Sequence, residues 1–181
     1  MKYLLSIFTI LLLIACGQNT EQQDPVAFAQ QQQKESLLMT IDSLEKKMNA
    51  PSDQIDRSLA AKAIDSYLRY YNLNSRDTAS AEMVWKAANL SEALGRHQKA
   101  IDLLITYHDG FKSAPKRADA IYLIGFIYDS GLHNADKARE FYNRTIELYP
   151  GTFWAKQAEQ ALPLVGMTDE DLAKFLDSKA K

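Results

Sequence analysis

The chain has a single cysteine, Cys16, and everything after it is free of thiols. That excludes a disulfide framework, thiolate metal sites and thiol catalysis from the body of the protein. Histidine is nearly as scarce. His97, His108 and His133 have no histidine three or four residues away, so they do not form a zinc motif and are expected as solvent-exposed loop residues. There is no glycine-rich phosphate loop and no Gly-x-Ser-x-Gly turn. No apolar run beyond the first residues approaches the ~18 that would cross a bilayer, and no stretch alternates with period two for long enough to make a strand. Neither charge sign dominates: 21 Lys+Arg stand against 23 Asp+Glu, a net charge of −2, which gives no pointer to nucleic acid as a partner. The expectation is a protein that is not an enzyme and holds no metal or cofactor.

What is present begins at the N-terminus. Lys2 supplies a basic start, and an apolar stretch over residues 3–15 follows, interrupted only by Ser6 and Thr9. This is the layout of a secretory signal, too short to span a bilayer as a stable helix. Leu13-Ile14-Ala15-Cys16, followed by Gly17, resembles the lipobox of bacterial lipoproteins, in which the cysteine is acylated and becomes the new N-terminus. The resemblance implies that residues 1–15 are removed and that diacylglycerol and a fatty acyl group are attached at Cys16. Two or three acyl chains on one residue hold stably where one holds marginally. A plain signal peptide with an incidental cysteine, or an uncleaved anchor, is the alternative. Gln18 rather than aspartate follows Gly17, so the usual inner-membrane retention signal is missing, and no acidic run follows the cysteine closely. Both absences favour a lipid-anchored protein on the periplasmic face of an outer membrane.

Residues 16–33 carry the anchor cysteine and seven glutamines, with little apolar surface, and are read as a flexible tether. Residues 30–33 could instead open the first helix, since glutamine is a fair helix former. From Lys34 the pattern is helical throughout: Leu37, Ile41, Leu44 and Met48 recur at three and four. Further helices are predicted near 53–72, 78–94, 98–111, 116–129, 135–149, 152–162 and 169–178, separated by short breaks rich in Gly, Pro, Ser and Asn. Thr168 is placed to cap the last of them, and Leu172, Phe175 and Leu176 give it an apolar face to lay on Trp154, Ala158 and Leu162. The fold class is therefore all-α.

A repeat underlies these helices. Lys62-Ala63-Ile64-Asp65 recurs as Lys99-Ala100-Ile101-Asp102 and, loosened, as Lys137-Ala138-Arg139-Glu140, with the alanines 37 and then 38 residues apart. Four residues after each alanine stand Tyr67, Leu104 and Tyr142; seven after stand Tyr70, Tyr107 and Thr145. A small residue followed at four by a large one suits a close helix crossing flanked by one knob. Such helix pairs bury their apolar faces by stacking on one another. A helical bundle without repeats is the alternative.

The pattern resembles the tetratricopeptide repeat (TPR) family. The best unit reads Ile121, Ile124, Gly125, Tyr128, Ala138, Tyr142, Thr145 and Pro150, with one residue inserted around Leu132-His133-Asn134; the preceding unit reads Val84, Ala87, Ala88, Gly95, Ala100, Leu104 and Tyr107. The resemblance implies a short right-handed α-solenoid of about four helix pairs over residues 34–181, with units near 34–75, 78–114, 116–150 and 152–179. It also implies a concave face on the first helix of each pair, where the positions fall on Glu82, Trp85, Asn89 and Glu92, then on Asp119, Tyr122, Phe126 and Asp129. That set holds aromatics and carboxylates and no Lys or Arg, so it lacks the cations with which some TPR proteins clamp a carboxylate. It would favour a basic or apolar segment of an envelope protein. Alternatively, Trp85 and Phe126 pack between repeats and the acids are ordinary solvated positions. The function implied is a membrane-anchored scaffold for protein–protein interactions, with envelope or outer-membrane assembly as its setting. The runner-up is an accessory glycan- or ligand-binding lipoprotein serving cell-wall or polysaccharide enzymes.

Overall fold

A computed structural model describes residues 24–179 apart from 52, 53 and 76; Cys16 and the signal region lie outside the described residues. The described chain is all-helical. Its eight helices are α1 (Pro25–Met48), α2 (Arg57–Leu73), α3 (Thr78–Ala93), α4 (His97–Gly110), α5 (Arg117–Phe126), α6 (Ala135–Leu148), α7 (Phe153–Ala161) and α8 (Asp169–Lys179). From α1 to α7 each helix packs on the next, and α5 also touches α7, which is a repeat-like succession of helix pairs. None of the described helices is long and apolar enough to cross a membrane.

The repeat register marks the core. Ala63, Ala100 and Ala138, then Tyr67, Leu104 and Tyr142, then Tyr70, Tyr107 and Thr145 are all buried, none more than 3% exposed. Gly125 shows why the crossing needs a small residue, because a Cβ there would stand 2.8 Å from Cδ1 of Tyr142. Two of the repeat tyrosines also fasten one pair to the next. The Tyr70 hydroxyl donates to Asp77 at the start of α3 (3.0 Å), and the Tyr107 hydroxyl accepts from the Lys116 amide at the start of α5 (3.2 Å). Asp77 also caps α3 through Ala79 N and pairs with Lys34, and this donor set holds its carboxyl down at about 2.

Four local features depart from the sequence reading. Helix α1 starts at Pro25, nine residues before the expected boundary at Lys34, so the tether does not extend to residue 33. Asp24 caps the helix by accepting from Val26 N at 3.0 Å, Pro25 fits its first position, and the glutamines propagate it. Helix α2 starts late, at Arg57, because Asp56 captures the amides of Ser58 and Leu59. The residue inserted in the third unit is absorbed as a π-helical turn, Ile127–Gly131, continuing α5. In it the Leu132 amide reaches back to Ile127 O (2.9 Å).

The fourth departure is at the C-terminal end. Helix α8 makes no extended packing with another described helix, so it does not close a fourth pair of the kind seen from α1 to α7, although the side chains of Leu172 and Phe175 are half-buried; the side chain of Leu176 lies outside the described residues. The cover comes instead from the segment just before it. After α7 the chain turns through Leu162–Leu164 and buries Val165, whose carbonyl accepts from Arg139 (2.8 Å). Val165 thus joins Ala138, Tyr142 and Ala158 in a small core of their own. Thr168 does cap α8, accepting from Asp171 N at 3.2 Å.

Candidate protein-binding groove

Helix α3 supplies the floor of the candidate site. Its core stripe, Val84, Ala87, Ala88 and Ser91, is buried against neighbouring helices, which turns Glu82, Trp85 and Asn89 to another face. There they line a groove of about 590 Å³ together with Glu45, Met48 and Asn49 at the end of α1, Tyr67 of α2, and Lys86, Leu90 and Ala93. The Trp85 ring leans on Tyr107 (5.2 Å between centroids, 54° between planes), and its backbone carbonyl accepts from the Asn89 amide (2.8 Å). Trp85 is only half-buried, so the indole is braced from behind and open in front. Glu82 also borders a second groove of about 650 Å³, walled by Tyr107, Phe111, Ala114 and Pro115. The two grooves therefore meet at one carboxylate.

The eight positions themselves carry no Lys or Arg, but the structure brings two lysines from outside them to this face. Lys86 Nζ lies 2.9 Å from Glu45 Oε1, which also accepts from the Tyr67 hydroxyl (2.8 Å). Lys116 Nζ lies 3.2 Å from Glu82 Oε2 and 5.1 Å from the centroid of the Trp85 ring. Lys86 follows Trp85 immediately, and Lys116 reaches in from the start of α5, so neither falls on the helix positions taken from the repeat. Each carboxylate bordering the first groove thus has its own ammonium, and the field projected at a partner is weak. What remains distinctive is apolar and aromatic surface. Burial, with Glu45 adding to it, pushes the Tyr67 hydroxyl far above the usual phenol range and keeps it a donor.

The eight positions taken from the resemblance do not form one site. Glu82, Trp85 and Asn89 come together. Glu92 does not line either groove; its carboxylate meets His97 Nδ1 at 2.9 Å. Tyr122 sits between Tyr142 (5.4 Å) and Trp154 (4.7 Å), while Phe126 is 44% exposed. Trp154 meets the exposed ring of Phe153, making a second aromatic surface on α5 and α7. Asp129 borders a small hollow of about 330 Å³ with His133 and Met167, and Asp119 is half-buried in the first turn of α5. Trp85 therefore both packs and remains accessible, and Phe126 does not pack away between repeats.

The histidines are also not all loop residues. His133 is exposed in its loop, but His97 is half-buried against Glu92 and the backbone of Gly131, where a Cβ would stand 2.8 Å from its Nδ1. His108 is a core residue of α4, only 4% exposed, held by Asp109 (Nδ1, 2.7 Å) and the Tyr149 hydroxyl (Nε2, 2.7 Å). Burial pulls its pKa below the ordinary imidazole value, with Arg117 and Arg144 adding to the effect and Asp109 opposing it. Among the described residues, no group of three or more His, Cys, Asp or Glu is arranged to hold a metal ion. Sequence reasoning missed Glu45, Tyr67 and Lys86 as groove residues, and Lys116 as the partner of Glu82. The one available signal was helical spacing, with Glu45 one turn beyond Ile41 and Lys86 one turn beyond Glu82.

Comparison with known protein families finds no family model that matches this chain, and comparison with curated proteins finds no match.

Proposed function

We propose that the chain is a non-enzymatic, lipid-anchored scaffold that uses the groove over α3 to hold an apolar segment of another envelope protein. The observation that carries this reading is the Trp85 groove itself: an indole braced by Tyr107, with Met48, Tyr67 and Leu90 around it and its charges already paired. Aromatic anchors in such settings supply most of the energy of an interface. The paired lysines narrow the expected partner from basic or apolar to chiefly apolar. In this reading the helix pairs are TPR-like units of a right-handed stack and the groove lies on its concave face. Cys16 carries the lipid, and the protein faces the periplasm from an outer membrane, where it would assemble or hold its partner.

The test is a plug. Asn89 is exposed and its side-chain amide donates to the Trp85 carbonyl one turn back, so Asn89→Trp fills the groove without touching the core. Crosslinking in native envelopes identifies the bound protein. Asn89→Trp is expected to weaken that complex at least tenfold, about 1.4 kcal/mol, while thermal stability stays within about 0.5 kcal/mol of wild type. A complex of unchanged affinity would remove the groove from the function.

A second reading, glycan binding in support of cell-wall or polysaccharide enzymes, rests on the exposed rings of Phe126 and Phe153 beside Tyr122 and Trp154. Retention on a glycan resin that is lost in Phe126→Ala/Phe153→Ala would favour it over the scaffold.

A further inference from the structure

Helix α1 is longer than its packing requires. Residues 24–33 are exposed throughout, and the packed part begins at Lys34, which is half-buried and tied to Asp77 beside the turn between α2 and α3. Residues 25–33 therefore form a helical spur about 13 Å long. It opens Pro25-Val26-Ala27-Phe28-Ala29, with Val26 62% and Phe28 51% exposed, and no charged residue lies between Asp24 and Lys34. The fold gives no reason for a phenylalanine and a valine there.

The arrangement of these side chains says what could cover them. Successive residues of a helix point about 100° apart, so four apolar residues in a row face all round the axis. One neighbouring helix buries a single stripe and would leave the others wet. A soft apolar medium meets all of them. Such a medium is close: only eight residues, 17–24, separate the spur from Cys16. Eight residues span at most about 28 Å and, as a coil, roughly 16 Å.

Resting on the reading that Cys16 is acylated, we propose that the first turn of α1 lies in the interfacial layer of that same membrane, a second contact beside the lipid. Asp24, which caps the turn, sets the depth, because its carboxylate stays among headgroups while Val26 and Phe28 reach the upper acyl chains. The glutamines 30–33 then lie at the water side, and Lys34 begins the folded body. The domain is thereby oriented by a helix rather than hung on a loose string.

The experiment uses the full lipidated chain in phosphatidylethanolamine–phosphatidylglycerol vesicles containing brominated lipid. Acylated Cys16 has no free thiol, so Ala27→Cys and Gln33→Cys each offer a single site for a fluorescent label, and mass spectrometry of the N-terminal peptide reports acylation. The expected result is at least twofold quenching at 27, little at 33, and loss of the quenching at 27 when Val26→Asp and Phe28→Asp are added with acylation unchanged. Acylated protein whose label at 27 is not quenched, or stays quenched in the charged variant, overturns the spur contact and leaves the anchor standing. A label shielded from aqueous iodide yet untouched by brominated lipid means a protein covers the turn, which also overturns it. Absence of the acyl adduct removes the anchor and the proposal together.

Discussion

Gly125 has no side chain because there is no room for one. A Cβ at this position would meet Cδ1 and Cε1 of Tyr142 at 2.8 and 2.9 Å, and Tyr142 is 1% exposed and cannot step aside. Alanine is the better helix former by up to ~1 kcal/mol, but forcing a methyl into a filled core costs about 1–3 kcal/mol. The clash is the larger effect, so Gly125→Ala is expected to lower the unfolding free energy, measured by urea denaturation. Gly110, also helical, has nothing within 4 Å, and Gly110→Ala is expected to be neutral or stabilising by a few tenths of a kcal/mol. A pH dependence also belongs to one residue. His108 is buried with its pKa below the ordinary 6.5, so the folded chain holds its proton less readily than the unfolded chain. The contribution to stability is full above that value and shrinks as the pH falls through 6.5 toward the lower folded value. His108→Gln is expected to be less stable than wild type at pH 8, with the gap closing by pH 5. A gap that stays constant over that range would show that the imidazole does not titrate differently on folding.

At the scale of elements, the sequence pattern located seven helices to within a few residues because each carries a 3.6-residue stripe and an identifiable stop. It missed where α1 starts because nine exposed residues leave no stripe; there the evidence was a capping pair, Asp24-Pro25, followed by glutamines. The lengthening of the alanine spacing from 37 to 38 betrayed an inserted residue, but not that α5 would absorb it by widening into a π turn. The end of the stack was the least legible part. Leu172 and Phe175 look like a capping face and are half-buried, whereas the fully buried residue there is Val165, a lone valine in a turn with no periodicity to announce it. Two variants compare these candidates for the cap. Ending the chain after Met167 is expected to change the melting midpoint little, since α8 makes no extended helix packing. Val165→Ala, which removes two buried carbons, is expected to cost about 2 kcal/mol. The reverse order would make α8 the true cap.

For the whole molecule, the groove was half legible: Trp85 and its turn-mates came from the repeat, but the lysines that neutralise them come from outside the repeat positions and appear only once α1, α3 and α5 are assembled. The assembly is close to one-dimensional, because each helix from α1 to α7 packs chiefly on its neighbours in sequence. In such a stack stability is carried by intrinsic units and nearest-neighbour interfaces, so damage stays local instead of spreading evenly. The largest fully buried side chains, Tyr70, Tyr107, Tyr142 and the isoleucines at 64, 101, 121 and 124, run through α2 to α6. Residues 25–33 are exposed throughout, and α8 makes no extended packing with another described helix. Hydrogen exchange followed by mass spectrometry is therefore expected to find the slowest amides in α3 to α6 and the fastest in 25–33 and α8. Gly125→Ala makes the sharper test. Its clash sits at the contact between α5 and α6, so exchange should accelerate most in α5, α6 and α7 and least in α1 and α2. Equal acceleration in every helix would mean that the chain unfolds as one cooperative globule and that the stacked-pair description fails as an account of its energetics.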